Sequence, residues 1–280
     1  SGEIDITNSA IPPDLFPMLK QQLGQQVRVS PFLCTFYYEI NNQRAPFTDV
    51  RVRTALKLTL DRDIIAEKIM GQGQIPAYGF TPPFTEGASL TPPAWSGLTQ
   101  TERNAKAKAL LAEAGYSADK PLKFTLLYNT SDQNKKQAIA AASMWKKNLG
   151  ADVSLQNQEW KTLLTARHNG EYDVVRATWC SDYNEPSTFL NMLLSDSSTN
   201  TAFYKSPAFD ALIAQSLTTE DNQARAAIYQ QAETQLDNDS AIIPVYYRVS
   251  VRLVKPWVGG YTGKDPQDNT DLKYYYITKH

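Results

Sequence analysis

Few side chains in this 280-residue sequence offer chemistry, and the spacing of most of them excludes familiar catalysts. The two histidines are His168 and the terminal His280. There is no HExxH helix and no CxxC pair, so a His- or Cys-based metal site has little to build on. A hydrolase needs a nucleophile, a base and an oxyanion hole. With no G-x-S-x-G elbow, His168 would have to serve as that base. Neither a P-loop nor a G-x-G-x-x-G turn is present to cradle phosphate or a nucleotide cofactor. Carboxylate pairs such as Asp61 and Asp63 read as ordinary helix-start residues.

Two features point towards binding. Asp182 follows a strand-like apolar stretch, Tyr172 to Trp179, in the run Trp179-Cys180-Ser181-Asp182-Tyr183-Asn184-Glu185-Pro186. A carboxylate flanked by Trp and Tyr at the C-terminal end of a parallel strand can pair with a ligand ammonium. The same Asp, ahead of Glu-Pro, can equally cap the next turn or helix, and the residues leave both roles open. Cys34 and Cys180 are also open to two readings, as buried thiols or as a staple in an oxidising compartment. A staple closing so long a loop would stabilise by about 5 kcal/mol in the chain-entropy model.

The elements that must position these groups alternate along the chain. Val27 to Val29 and Thr35 to Ile40 read as strands. Thr48 or Asp49 caps a helix with Val52, Ala55, Leu56 and Leu60 on one face, and a short helix starts near Asp63. Residues 71–99 form a long Pro-, Gly- and Thr-rich loop. Thr101 is expected to cap a helix ending at Gly115. Strands at Leu122 to Tyr128, Val153 to Leu155 and Tyr172 to Trp179 then alternate with helices at Asp132 to Asn148 and Gln158 to His168. This β-α-β-α-β rhythm predicts a mixed, mostly parallel sheet flanked by helices, an α/β fold. Helices near 185–194, 207–217 and 221–236 follow, then strands at Ile242 to Tyr247 and Val251 to Val254 and an aromatic, Gly-rich tail. The opening Ser1-Gly2-Glu3-Ile4-Asp5-Ile6 reads as the start of a buried strand in a chain cut from something longer.

A net charge of −1 gives no electrostatic footprint for nucleic acid, and no stretch approaches the roughly 18 apolar residues of a spanning helix. Fifteen Tyr and five Trp suit a ligand cleft as well as a core.

The runs Cys34-Thr35-Phe36-Tyr37-Tyr38-Glu39-Ile40-Asn41, Asp49-Val50-Arg51-Val52-Arg53-Thr54-Ala55-Leu56, Leu126-Leu127-Tyr128-Asn129-Thr130-Ser131, Asn157-Gln158-Glu159-Trp160-Lys161 and Asp182-Tyr183-Asn184-Glu185-Pro186 resemble the periplasmic oligopeptide-binding proteins of enteric bacteria. So does the closing Arg252-Leu253-Val254-Lys255-Pro256-Trp257-Val258-Gly259-Gly260-Tyr261. The likeness runs from Gly2 to His280 and covers only part of the family's length.

That resemblance implies a two-lobed receptor that captures short peptides with little sequence preference and delivers them to the permease of an ABC importer, in the periplasm and without a cofactor. It implies that Asp182 receives the peptide ammonium and that Trp179 and Cys180 form the edge pairing with the peptide backbone. Tyr37, Glu39, Asn129, Trp160, Arg167, His168 and Arg176 are implied to line pockets, with Arg176 also near a short peptide's carboxylate. Cys34 and Cys180 match the family's disulfide. The chain departs from the pattern at Asn134, Met70 and Thr178, where His, Lys and Gly are expected. The expected division places 34–248 in one lobe, with 1–33 and 249–280 in the other, mostly missing N-terminal lobe. A receptor restricted to murein peptides, and a peptide hydrolase or chaperone, are the alternatives.

Overall fold

The computed structural model describes residues 3–8, 11–269 and 271–278. Helix α1 (Phe16–Leu23) leads into the 14-residue strand β1 (Val27–Ile40). What the pattern shows as two strands is one, interrupted by register shifts against its neighbour between Pro31 and Thr35 and between Phe36 and Tyr37. The bulge absorbs the break in alternation, so the strand bends instead of ending.

Asp49, not Thr48, caps α2 (Val50–Thr59), accepting from the Arg51 N–H. A π-helical stretch, Ile64–Met70, is closed by Gly71 at φ 67°, a left-handed turn that suits a residue with no Cβ. The Pro-rich segment after it contributes only β2 (Ile75–Pro76) and a 3-10 turn at Ala94–Gly97. It is tied down by side chains. The Glu233 carboxylate accepts from the N–H groups of Phe80 and Thr81 at 2.9 and 2.7 Å, and Trp95 Nε1 donates to Asp237 at 2.9 Å.

Helix α3 (Gln100–Glu113) starts two residues earlier than expected of Thr101. Thr99 and Glu102 form a reciprocal capping box, which satisfies two end N–H groups at once. The alternating unit follows as β3 (Lys123–Asn129), α4 (Asp132–Leu149), β4 (Asp152–Gln158), α5 (Trp160–His168) and β5 (Val174–Cys180). Then come α6 (Ser187–Leu190), α7 (Pro207–Thr218), α8 (Asn222–Asp239) and the long β6 (Ile242–Leu253). A small pair, β7 (Val258–Gly259) with β8 (Tyr276–Ile277), closes the described chain.

The main sheet has the order β2-β6-β1-β5-β3-β4. Strands β3, β4, β5 and β6 run one way, and β1 and β2 run the other. One face carries Phe36, Tyr38 and Val174 against Leu56, Ala107, Ala141 and Trp145 of α2, α3 and α4. The opposite face carries Tyr37 and Ala177 against Phe189, Phe209, Ile213 and Tyr229 of α6, α7 and α8, and Val175 against Leu163 of α5. The sheet is therefore mixed and helix-covered on both faces, as the rhythm predicts.

The start of the chain differs from expectation. Ser1 and Gly2 lie outside the described residues, Ile4 is exposed, and Ile6 makes a single antiparallel bridge to Val254. No buried strand forms there among the described residues, because only that one bridge offers a ladder to extend.

Candidate functional site

The C-terminal ends of β3, β4 and β5 lie together, which is where an open α/β sheet accepts a ligand. Strand β5 pairs with β1 along its whole length, from Ile40 opposite Val174 to Cys34 opposite Cys180. Its other neighbour is held only briefly. β3 pairs with β5 at Leu126–Val174 and Leu127–Val175 and then continues with β4 as far as Asn129–Gln158. Beyond Val175 the two parallel strands part.

Hydrogen bonding fixes which backbone groups face that opening. The Asn41 N–H donates to Asp173 O at 3.0 Å, and the Ser181 N–H donates to Leu33 O at 2.8 Å. Antiparallel pairing alternates, so the odd-numbered residues turn their N–H and C=O groups to β1. Thr178 and Cys180 turn theirs the other way, into the space that β3 leaves. A strand edge without a partner is a template for another extended chain.

Cys180 ends the strand opposite Cys34, with Cα atoms 3.9 Å apart, and the two form a disulfide. Trp179 is anchored by its indole N–H, which donates to Thr188 O at 2.7 Å. Asp182 follows on the surface. Its backbone N–H donates to the Thr188 hydroxyl at 3.0 Å, and its carboxylate has no partner among the described residues. The capping role belongs to Glu185, which accepts from the Ser187 N–H at 2.7 Å and from the Ser187 hydroxyl. Of the two roles open for Asp182, capping is thus filled by another residue.

On the far side of the opening stand Asn129, at the end of β3, and Trp160, at the start of α5 after β4 and 45% exposed. The Asn134 amide donates to Asn129 Oδ1 at 2.9 Å, so the position where His was expected braces a loop. Arg176 points to the α2–α4 face. Its guanidinium lies 5.3 Å over the Phe36 ring, and Phe36 stacks on Tyr246 at 4.8 Å. The Gln137 amide then donates to the Tyr246 hydroxyl at 3.1 Å and to the sulfur of Met70 at 3.0 Å. Burial lowers the Arg176 pKa from its ordinary value; Tyr246 opposes this, and Arg248 and Arg167 add to it.

Tyr37, Glu39 and Arg167 form a separate, closed group on the opposite face. Glu39 is fully buried, and Arg167 grips it with Nε and Nη2 at 3.0 and 2.7 Å. The Thr201 and Tyr37 hydroxyls also donate to Glu39, at 2.9 and 3.3 Å. Burial drives the Tyr37 pKa well above its ordinary value, with Glu39 adding to the effect. Against burial, which lowers it, Glu39 raises that of Arg167. The two charges are spent on each other. Helix α5 runs back along the sheet, so its last residue, His168, lies about 12 Å from Trp160 along the helix axis. His168 is exposed and borders a polar recess of about 220 Å³ with Asp196, Asn200 and Lys205. The terminal His280 lies outside the described residues.

Sequence reasoning missed Phe36 and Tyr246 as the floor under Arg176, and it missed a set of orphaned polar atoms. Arg176 Nε, Ser181 Oγ, Gln137 Oε1 and Gln158 Oε1 are buried without a hydrogen-bond partner. All four belong to elements around the opening between β3 and β5. Six further atoms, Asn42 Oδ1, Arg62 Nη2, Thr81 Oγ1, Gln100 Oε1, Arg103 Nε and Asn191 Oδ1, are likewise buried and unpartnered on other elements, so the orphaned atoms do not by themselves single out the opening. Among the described residues no group of His, Cys, Asp or Glu is arranged to hold a metal ion, and no helix is long and apolar enough to cross a membrane.

Comparison with known proteins gives the family. Residues 1–201 match the family Bacterial extracellular solute-binding proteins, family 5 Middle. The chain belongs to that family. It is 64% identical, over all 280 residues, to the periplasmic oligopeptide-binding protein OppA of Escherichia coli, and it spans 52% of that protein. The crystal structure of Haemophilus influenzae OppA in complex with RPPGFSPFR superposes with a TM-score of 0.90 at 49% identity, covering 99% of this chain and 55% of that one. The Escherichia coli murein tripeptide binding protein MppA superposes with a TM-score of 0.92 at 47% identity, covering 100% of this chain and 55% of that one. The chain therefore spans about half the length of the relatives it matches.

Proposed function

We propose that this chain is the C-terminal part of a periplasmic receptor that captures short peptides with little sequence preference and hands them to the permease of an ABC importer. The observation that carries the reading is the open side of β5, where Thr178 and Cys180 present unpaired backbone groups one short step from the unpartnered carboxylate of Asp182. A peptide added there as an extra strand is held by N–H and C=O groups that every peptide has, which explains indifference to side chains. Water filling roomy pockets replaces tailored contacts.

In this reading Asp182 takes the ligand ammonium, and Trp179 and Cys180 form the pairing rim. Asn129, Trp160 and Arg176 line the surrounding space, His168 stands apart at the far end of α5, and Arg176 meets the carboxylate of a short guest. Tyr37, Glu39 and Arg167 support the wall behind, their charges already matched. Residues 34–248 form the lobe that carries the rim, and 1–33 with 249–280 belong to a second lobe that closes over the guest. The shift in β1 pairing between Pro31 and Thr35 supports a boundary at that point. A receptor of this kind binds and releases without turnover, so it is not an enzyme. Its partners are the guest peptide, the remaining lobe and the permease subunits.

A narrower receptor for murein peptides is the second reading, favoured by the close superposition on MppA and by Asn134 and Met70 standing where charged groups were expected. Mass spectrometry of peptides that co-purify with the complete receptor separates the two. A heterogeneous set of peptides supports general capture, and one defined species supports the specialist. Isothermal titration with Lys-Ala-Lys tests the lobe assignment, because this chain alone lacks the enclosure that strengthens charge-assisted bonds. Sub-micromolar binding by the isolated chain would refute it.

A further inference from the structure

Most of the buried cations among the described residues are matched. Arg167 has Glu39, Lys57 has Asp237 at 2.7 Å, and Arg252 has Asp268 at 2.7 Å. Arg53 and Arg62 are surrounded by backbone carbonyls, those of Phe47, Asp239 and Ser240 for the first and of Lys57, Leu60, Ala77 and Pro244 for the second. Arg103 meets only the Tyr78 hydroxyl, at 3.2 Å, with its Nε buried and unpartnered, and Arg176 is in a like position. No carboxylate and no carbonyl meets it among the described residues, its Nε is buried without a partner, and its single protein hydrogen bond runs from Nη2 to the Thr178 hydroxyl at 2.9 Å.

Thr178 sits two residues further along β5, on the same face of the sheet, and its own backbone groups face the opening. Its β-branched side chain has little rotameric freedom, so the hydroxyl is a fixed point and not a swinging arm. The guanidinium is therefore held from two directions. Its flat face rests over Phe36, its Nη2 edge is tied to Thr178, and the Nε edge is left for something else. A guanidinium recognises carboxylate best through two parallel N–H donors, which requires the plane of the fork to be set in advance.

We infer that Thr178 is a positioning residue for ligand recognition: its hydroxyl sets the plane of the Arg176 guanidinium so that the unused donors meet the carboxylate of a peptide lying along β5. This inference rests on the peptide-receptor reading above and adds to it a specificity, for guests that end in a free carboxylate close to Thr178. An acidic side chain offers the same chemistry at a different place in the guest, and the test separates the two sources.

The experiment uses the complete receptor and isothermal titration with Ala-Ala-Ala, its C-terminal amide, and Ala-Glu-Ala amide. Three proteins are compared: wild type, Thr178→Val, which keeps the shape and removes the hydroxyl, and Thr178→Ser, which keeps the hydroxyl. The expected result is a preference of wild type for the acid over the amide that falls by about tenfold in the valine variant and survives in the serine variant, the size of one charge-assisted bond poorly aligned. Melting temperatures of the three stay together, since valine and serine both fit a strand position.

An unchanged acid-to-amide ratio in Thr178→Val overturns the inference, as does equal loss in valine and serine, which would mean that the hydroxyl alone does not set the preference. A wild type that binds acid and amide alike also overturns it, while peptide capture itself stands. Recovery of full affinity by Ala-Glu-Ala amide assigns the Arg176 fork to an acidic side chain and overturns the terminal-carboxylate specificity. Failure of the complete receptor to bind any of the three peptides overturns the receptor reading, and the role of Thr178 with it.

Discussion

Arg167 on α5 reaches across to β1 and holds both carboxylate oxygens of the fully buried Glu39, at 2.7 and 3.0 Å. The two charges satisfy each other within the chain. Breaking the pair from one side strands a buried charge, which costs about 3–5 kcal/mol. Glu39→Met and Arg167→Met are each expected to lose that much in urea unfolding. The double replacement is expected to regain most of it, because removing both charges leaves an apolar contact. Additive losses in the double variant would show that the two residues act separately.

Asp182 predicts the opposite behaviour. Its carboxylate makes no contact within the chain, so Asp182→Asn leaves stability within about 0.5 kcal/mol of wild type. In the complete receptor the same change weakens binding of a peptide with a free amino end about 10- to 100-fold, the loss of one bond to a charged group. N-acetylated peptides bind wild type and variant alike. A destabilised variant, or an equal loss for acetylated and free peptides, would remove Asp182 from the site.

The Cys34–Cys180 link closes a separation of 146 residues. In the chain-entropy picture it restricts the unfolded chain by about 5 kcal/mol, and strain or residual structure reduces the effect to about 2–5 kcal/mol in practice. The double serine variant is expected to lose that amount and to keep the fold, because β1 and β5 are paired on their own backbone bonds. Thermal unfolding with and without a reductant measures it. Identical curves would show that the link contributes nothing.

Glu233 gives a pH dependence. Burial raises its pKa above the ordinary carboxyl range, outweighing the bonds from Thr81 and Phe80 that favour the charged form. The folded protein then holds this proton more tightly than the unfolded chain does. Its contribution is full below the unfolded value and is lost as pH rises through the raised folded value. Glu233→Gln cannot ionise, so the stability gap between wild type and variant narrows from pH 4 to pH 7. A constant gap across that range would refute the assignment.

Much of the lobe is legible in the residues because its signals are local. Gly150 closes α4 at φ 69°, Ser131 caps it, and the strands around it show their β-branched and aromatic runs, so the alternating unit from β3 to β5 is readable with small errors at the ends. The capping box at Thr99 is readable too, from the Glu three residues on, and Thr101 competes with it only because both are threonines ahead of an apolar stripe. Long strands are harder to read. Ser30 and Pro31 break the alternation of β1, and nothing nearby says that a bulge and not a loop resolves it.

The site is less legible for the same reason. Asp182 and Glu185 are equally good caps on paper, and only the fold shows which one reaches Ser187. That Glu39 is matched by Arg167, 128 positions away, or that Gln137 touches Tyr246, 109 positions away, depends on register and helix placement. The parting of β3 from β5 leaves no local mark at all, since Arg176 and Ala177 would suit a fully paired strand equally well.

In the proposed receptor, one consequence of the cross-link concerns the guest and not the host's stability. Strand ends fray, and Cys180 is the last residue of β5, at the point where one neighbour has already departed. Bolted to Cys34, that terminus keeps its extended shape whether or not a peptide lies beside it. The ordering of the docking rail is completed once, when the protein oxidises, and does not have to be repeated at the expense of affinity each time a new peptide arrives.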